Sequence, residues 1–98
     1  MIKVFSYGSL LDPKIQTRLT GHEIESFPAT ICGWAMSSAG GGESLAIKRA
    51  KGTIDGRILE VTDEELEQFD IYEGTEYKRV ATVTDYGETV DVYILAQE

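Results

Sequence analysis

The sequence is poor in residues that bind metals or form disulfides. Its 98 residues include one cysteine, Cys32, and one histidine, His22. A single cysteine excludes a disulfide within the chain, which fits a reducing compartment. No CxxC or HxxxH spacing occurs, so no metal site is recognisable. We therefore expect a protein that works without a metal or an organic cofactor.

Long apolar runs and an excess of positive charge are also missing. No run approaches the roughly 20 residues that cross a bilayer, and the opening MIKVFSYGSL lacks the apolar stretch of a signal peptide. Acidic residues number 17 against 9 lysines and arginines, so the net charge is −8. Such a surface repels phosphate backbones and anionic lipids, which argues against nucleic-acid and membrane partners. We expect a cytoplasmic protein, either a monomer or a weak dimer.

The composition suits a small folded unit. Hydrophobic residues make up 42% of the chain, which is enough for a modest core without disulfides. Two prolines and the absence of low-complexity segments argue against disorder. We expect one domain that spans residues 1–98.

Local signals divide the chain into eight elements in the order β-α-β-β-β-α-β-β. The first helix begins at Asp12-Pro13, an N-cap followed by proline, and stops before Gly21. The second has a capping box formed by Thr62 and Glu65 and ends at Gly74. Strands are expected at residues 2–7, 24–35, 45–47, 52–61, 77–84 and 89–96. Two helices cannot cover both faces of a large parallel sheet, so we predict an α+β fold: a small mixed or antiparallel β-barrel with two flanking helices.

Glycine and proline mark three irregular segments. Pro28 and Gly33 interrupt a β-rich run and predict an edge strand or a bent strand. Residues 85–88 read as the turn of a hairpin. The three consecutive glycines Gly40, Gly41 and Gly42 predict a mobile loop, which we expect at the rim of a pocket.

Glu73 lies on the apolar side of the second predicted helix. At about 100° per residue, Leu66, Phe69 and Glu73 share one narrow arc. Partial burial and the negative helix end next to Gly74 both disfavour the ionised carboxylate, and both raise its pKa. A half-buried carboxylate with a raised pKa suits a general base. The alternative is a frayed last turn that leaves Glu73 in water.

The segment Tyr7-Gly8-Ser9-Leu10 breaks the first strand before the first helix. A glycine there allows a positive φ and a close approach of the backbone to a ligand. Successive N–H groups of Gly8, Ser9 and Leu10 can hold a carboxylate or a developing oxyanion. An ordinary tight turn is the competing interpretation.

Other reactive or aromatic residues have structural explanations. Cys32 has only His22 as a possible base, with no orienting acid, and Ser9 lacks a base as well. Arg79 can pair with Asp70 or with the carboxylate of a substrate, and we favour the structural pair. Three aromatic residues are assigned to packing: Trp34, Phe27 and Tyr77.

These segments together resemble a known family. The opening VFSYGSLLDP is similar to the YGSL signature of the γ-glutamylcyclotransferase-like superfamily, in the branch named for plant avirulence-induced genes. FPATICGW resembles that branch's strand before the variable loop. GTIDGRILEVTDEELEQFDIYEGTEYKRV resembles its most specific segment, D-x-(Y/F)-E-G-x-E-Y-x-R with the strand and helix before it. The similarity covers nearly the whole chain in the same order, although the Y-P-A-(I/V) piece of the family is replaced by Ser44-Leu45-Ala46-Ile47.

The resemblance implies a fold, an activity and site residues. The fold is a small β-barrel whose YGSL loop lines the substrate pocket, here Tyr7, Gly8, Ser9 and Leu10. The family's glutamate general base corresponds to Glu73. The implied activity releases 5-oxoproline from a small-molecule γ-glutamyl amine or peptide. A non-catalytic module that holds a small molecule or a peptide terminus in the same pocket remains the alternative.

Overall fold

The computed structural model describes residues 1–37 and 46–96. Within them, five strands, two α-helices and one short 3₁₀ helix follow one another along the chain. The first half contains β1 (Ile2–Ser6), the 3₁₀ helix (Ser9–Leu11), α1 (Pro13–Thr20) and β2 (Ser26–Ser37). The second half contains β3 (Ala46–Val61), α2 (Asp63–Glu73), β4 (Tyr77–Val83) and β5 (Thr89–Leu95).

The strands form one mixed, curled sheet in the order β2-β3-β1-β5-β4. β1 runs parallel to β5, and the other neighbours are antiparallel. The two edges of the sheet approach each other at a single bridge between Ile31 and Thr84, where the N–H of Asp85 donates to the carbonyl of Thr30 at 2.9 Å. The predicted α+β class is confirmed, with the sheet curled into a half-barrel.

Both faces of the sheet are buried, because side chains alternate between them along each strand. Phe5 points into the curl and its neighbour Val4 points toward the helices. The cluster inside the curl consists of Phe5, Ile31, Trp34, Ile47, Ile54, Ile58, Val90, Val92 and Ile94. The cluster between the sheet and the helices consists of Val4, Leu10, Ile24, Leu59, Val61, Leu66, Phe69 and Tyr93. This second cluster fixes α2 against the sheet.

Both helices begin and end where the local signals predict. The Asp12 carboxylate accepts from the N–H of Lys14 at 2.9 Å, and Thr62 with Glu65 forms the complete capping box. Gly74 follows α2 with a φ of 76°, a conformation that glycine adopts at no steric cost. No helix in the described residues is long and apolar enough to cross a membrane.

The predicted strands at residues 45–47 and 52–61 are wrong as separate elements. Residues 46–47 and 52–61 both belong to β3, which pairs with β2 along almost its entire length. The register shifts between Cys32 and Trp34, where Gly33 has a φ of 87°. This bulge lets the long strands bend together without a break, and it confirms the bent edge strand predicted from Pro28 and Gly33. Leu45 and the Gly40–Gly42 loop lie outside the described residues.

The two aromatic residues of β2 have different surroundings. Trp34 is 1% exposed and lies in the core, as predicted. Phe27 is 45% exposed, so its assignment to the core is wrong. It pairs with Ile58 at the beginning of an edge strand, where no neighbouring strand covers the outer side of the ring.

Candidate functional site

A cavity of about 370 Å³ opens at the end of β1. Its walls come from the segment after β1, the last turn of α2, the start of β4 and the end of β5. The lining residues are Phe5, Ser6, Tyr7, Gly8, Ser9, Leu10, Tyr72, Glu73, Tyr77 and Tyr93. The fold therefore brings together every residue that the sequence nominated for the site, while their roles stay predictions.

Glu73 reaches the cavity because the core orients α2. Leu66 and Phe69 are 7% and 0% exposed, and Glu73 lies one turn beyond Phe69 on the same side of the helix. Glu73 is half-buried, and this burial raises the pKa of its carboxyl to about 7. Within the described parts of the chain, the Glu73 carboxylate has no hydrogen bond or ion pair. It is thus a carboxylate available to a ligand and half ionised near neutral pH.

The YGSL segment takes a different conformation from the one expected. Gly8 has a φ of −145°, so the segment does not use the positive φ that glycine allows. Its N–H lies 3.4 Å from the Ser6 hydroxyl oxygen. Ser9 and Leu10 open the 3₁₀ helix, whose first internal hydrogen bond runs from the N–H of Leu11 to Gly8 at 3.0 Å. The N–H groups of Ser9 and Leu10 therefore precede the bonded part of this helix and have no acceptor within it.

Gln16 of α1 holds this segment in place. The side chain is 3% exposed, and its amide donates to the Leu10 carbonyl at 2.9 Å. Its oxygen accepts from the N–H of Ile24 at 2.8 Å. The segment is therefore tied to α1 by a buried bond and by the Leu10 side chain, which is 2% exposed. No local sequence pattern distinguishes Gln16 from a surface residue of α1.

Three tyrosine hydroxyls of the cavity donate to protein acceptors. Tyr7 donates to the Tyr93 carbonyl at 3.2 Å, Tyr72 to the Ser9 hydroxyl at 3.0 Å, and Tyr93 to the Asp70 carboxylate at 2.6 Å. Burial raises the pKa of Tyr7 and Tyr93 well above the ordinary tyrosine value, so both hydroxyls keep their protons at neutral pH.

Sequence reasoning missed four lining residues: Phe5, Ser6, Tyr72 and Tyr93. Tyr72 could have been found, since it directly precedes Glu73. Tyr93 carries no local signal, because β5 reaches the cavity only through its pairing with β1. Tyr77 was assigned to packing, and its ring packs against the helix-side cluster as well as lining the cavity.

Arg79 forms the structural pair that the sequence analysis predicted. Its guanidinium bonds both oxygens of Asp70, at 3.0 and 3.2 Å, and Asp91 at 2.8 Å. Burial by itself would raise the pKa of Asp70, but hydrogen bonds from Arg79 and Tyr93 outweigh it and hold that pKa below its usual value. Asp70 and Arg79 are the first and last residues of the D-x-Y-E-G-x-E-Y-x-R segment. The guanidinium is thus occupied by two carboxylates.

The alternative nucleophile stays separate from the cavity. Cys32 is exposed on β2, and neither Cys32 nor His22 lines the cavity. The His22 ring instead pairs with Glu65, and this hydrogen bond raises the pKa of His22. Among residues 1–37 and 46–96, no three His, Cys, Asp or Glu side chains cluster as metal ligands would.

Solved structures share this fold over nearly the whole chain. A solution structure from Arabidopsis thaliana is 28% identical, with a TM-score of 0.85 over 98% of this chain and 62% of that one. A second Arabidopsis solution structure is 30% identical, with a TM-score of 0.82 over 97% and 68%. A structure named gamma-glutamyl cyclotransferase shares the fold at 18% identity, with a TM-score of 0.71 over 97% and 66%.

Sequence comparisons also identify relatives from Arabidopsis thaliana. "Protein AIG2 B" of Arabidopsis thaliana is 31% identical over 102 residues, which cover 97% of this chain and 60% of the relative. "Protein AIG2 C" of the same plant is 30% identical over 79 residues, 79% of this chain and 48% of the relative. The chain thus spans about half to three fifths of these relatives. The family model "Gamma-glutamyl cyclotransferase, AIG2-like" matches residues 4–98. The chain belongs to this gamma-glutamyl cyclotransferase, AIG2-like family.

Proposed function

We propose that this protein is a γ-glutamyl cyclotransferase that releases 5-oxoproline from a γ-glutamyl amine or a γ-glutamyl peptide, with Glu73 as the general base. The observation that carries the proposal is the half-buried Glu73 carboxylate, which has no partner among residues 1–37 and 46–96 and lies in the same cavity as the YGSL segment. Its pKa of about 7 lies near neutral pH, where a general base has to change between its ionised and its protonated form. Membership of the family supports the reaction class.

The YGSL segment binds the acidic end of the substrate in this proposal. The α-carboxylate of the γ-glutamyl group lies near the backbone N–H groups of Ser9 and Leu10, with Gly8 beside them. Backbone N–H groups suit this task because they are fixed donors that need no rearrangement on binding. Arg79 takes no part, since Asp70 and Asp91 occupy its guanidinium.

Glu73 starts the reaction by removing a proton from the α-ammonium group. The freed amine attacks the γ-carbonyl carbon, so a bond forms between the α-nitrogen and that carbon. The bond from the γ-carbon to the leaving nitrogen then breaks as the proton held by Glu73 passes to that nitrogen. The attacking nitrogen loses its second proton through Glu73 to the released amine, so the ring keeps one N–H and the amine leaves as an ammonium ion. The products are 5-oxoproline and the released amine, without a net change of redox state.

Ring closure is favoured because the nucleophile and the electrophile belong to one molecule. The protein has to hold the γ-glutamyl chain in a folded conformation and keep the ammonium group beside Glu73. The aromatic walls of the cavity, Phe5, Tyr7, Tyr72, Tyr77 and Tyr93, supply the shape for this folded chain. The reaction is an acyl transfer to the substrate's own amine.

A screen of γ-glutamyl compounds tests the proposal. The purified protein is incubated with γ-glutamyl dipeptides, γ-glutamyl amines and glutathione, and 5-oxoproline is measured. Formation of 5-oxoproline that disappears in Glu73→Gln supports the proposal. If the wild-type protein releases no 5-oxoproline from any compound but still binds one of them, the cavity belongs to a binding module instead.

A further inference from the structure

Polar groups from four segments line the cavity of Glu73 or bind a lining residue, yet none of the described ones pairs with Glu73. These groups are Ser6, Tyr7 and Ser9 from the end of β1 and the turn after it, Asp70 and Tyr72 from α2, Tyr77 from β4, and Tyr93 from β5. Tyr7, Tyr72 and Tyr93 all donate to acceptors other than Glu73. The Glu73 carboxylate thus shares its cavity with three hydroxyl groups that donate to other acceptors.

The hydroxyl of Tyr93 is directed by a second acidic residue of α2, Asp70. This hydroxyl donates to the Asp70 carboxylate at 2.6 Å, and Asp70 precedes Glu73 by three residues on the same side of α2. Tyr93 and Glu73 line the same cavity. The pKa of Tyr93 is raised by burial and by Asp70, and the charge of Glu73 adds a smaller contribution in the same direction. The Tyr93 hydroxyl is therefore bound to one carboxylate of α2 while its residue lines the same cavity as the other.

Arg79 holds the Asp70 carboxylate where it accepts from Tyr93. The guanidinium binds both oxygens of Asp70 and is itself held by Asp91. Asp70 is thereby fixed against β4, with one oxygen in reach of Tyr93. Glu73 has no comparable partner in the part of the chain that the structure describes.

We propose that Asp70 is a positioning residue: by holding the hydroxyl of Tyr93, it keeps that donor away from Glu73 and leaves the Glu73 carboxylate open to the ammonium group of the substrate. That the ligand carries an ammonium group at this point rests on the proposed function. Without Asp70, the Tyr93 hydroxyl donates to Glu73. Hydrogen bonding to the ionised form stabilises it, so the carboxylate becomes a weaker base and is blocked by a protein donor.

A carboxyl ¹³C NMR titration of the free protein tests this role without any substrate. The Glu73 signal is assigned with Glu73→Gln, and the pKa of Glu73 is compared in Asp70→Asn and Asp70→Leu. Both variants remove the charge of Asp70, but only asparagine retains an oxygen that accepts from Tyr93. We expect the pKa of Glu73 to be lower in Asp70→Leu than in Asp70→Asn by about 1.

Tyr93→Phe provides the matched control. In Asp70→Leu/Tyr93→Phe the donor is absent, so we expect the pKa of Glu73 to return to its value in Asp70→Asn. Equal pKa values in the Asn and Leu variants would overturn the inference. A lowered pKa that persists in the double variant would also overturn it, because the cause would then not be the hydroxyl.

Two further measurements keep the outcome decisive. If Asp70→Leu does not fold, as judged by circular dichroism, Asp70→Ala replaces it, since alanine favours the helix and also lacks an acceptor. Turnover of the same variants separates this inference from the proposed function. If the pKa of Glu73 is lower in Asp70→Leu but the wild type releases no 5-oxoproline, only the proposed function is wrong. If the wild type turns over substrate but the variants show no pKa difference, only the positioning role is wrong.

Discussion

The hydroxyl of Tyr72 donates a hydrogen bond to the hydroxyl of Ser9 across 63 positions of sequence, at 3.0 Å. Tyr72 belongs to the last turn of α2, next to Glu73, and Ser9 begins the 3₁₀ helix after β1. The bond therefore joins the wall that carries the proposed base to the wall that carries the proposed N–H donors. The spacing of these two walls decides whether one γ-glutamyl group can touch both.

Tyr72→Phe should impair catalysis while leaving the fold intact. Loss of one hydrogen bond to a partly exposed side chain changes the free energy of unfolding by about 0.5–1.5 kcal/mol, but it releases Ser9 from α2. We expect a larger KM or a smaller kcat in the 5-oxoproline assay, by several-fold. Tyr86→Phe is the control, since Tyr86 is 94% exposed in the β4–β5 turn. Equal activity of both variants would show that the bond does not set the spacing.

Glu73→Gln should reduce turnover by about 10²–10⁴-fold, the usual contribution of a positioned general base. Glutamine preserves the shape of the side chain but cannot take up the ammonium proton, so substrate binding should survive. Turnover is measured in the 5-oxoproline assay, and binding by calorimetry. Glu67→Gln serves as the control, because Glu67 is exposed on the same helix. Wild-type turnover in Glu73→Gln would remove Glu73 from the mechanism.

Turnover should fall on the acidic side of about pH 7. The base acts only when ionised, and burial raises the pKa of Glu73 to about 7. Below that pH the rate should drop about tenfold for each pH unit. A profile of kcat/KM against pH measures this limb for the free enzyme. An acidic limb centred near pH 4.5, the ordinary value for glutamate, would contradict the burial of the base.

Stability should depend on pH through the same carboxyl. The pKa of Glu73 is about 7 in the folded protein and 4.5 in an unperturbed glutamate. The folded state therefore retains the proton more tightly, and the free energy of unfolding falls as the pH rises from about 4.5 to 7.

Glu73→Gln should lack this decrease in stability. We expect it to be more stable than the wild type by about 1 kcal/mol at pH 8, after allowance for solvent screening of the half-exposed carboxyl. The two proteins should be nearly equal in stability at pH 4.5. Urea denaturation at both pH values gives the comparison. A Gln variant that is less stable at pH 8 would mean that Glu73 is a structural ion-pair partner.

Leu66→Ala should destabilise the protein by about 2–5 kcal/mol, as truncation of a buried leucine usually does. Leu66 is 7% exposed in the cluster that holds α2 against the sheet. Urea denaturation measures the loss, and Leu66→Met is the control that keeps the volume nearly constant. A loss below about 1 kcal/mol would show that α2 is not oriented by this packing.

Local chemistry explains which elements could be predicted. Capping by Asp12 and Thr62 involves groups only two or three residues apart, so the helix starts are readable from the chain. The side of α2 that carries Glu73 follows from helix geometry once Leu66 and Phe69 are taken as core residues. The family segment around Glu73 is equally local.

Strand pairing explains what could not be predicted. The merging of two expected strands into β3 depends on its continuous partner β2, and the exposure of Phe27 depends on its position at the start of that edge strand. The residues of a short apolar run do not indicate which strand will pair with it. The same holds for the conformation of Gly8, whose φ is set by the entry into the 3₁₀ helix.

The sequence by itself determined the ends of both helices and the placement of Glu73 on the apolar side of α2, because each depends on groups within a few residues. It also determined the α+β class, because two helices cannot cover both faces of a large parallel sheet. Only the tertiary structure decided which groups surround that carboxylate. Tyr93 reaches the cavity through the parallel pairing of β1 with β5, and Asp70 takes its hydroxyl because Arg79 holds it there. Such contacts join segments that are distant in the chain, and they arise only when the sheet brings those segments together.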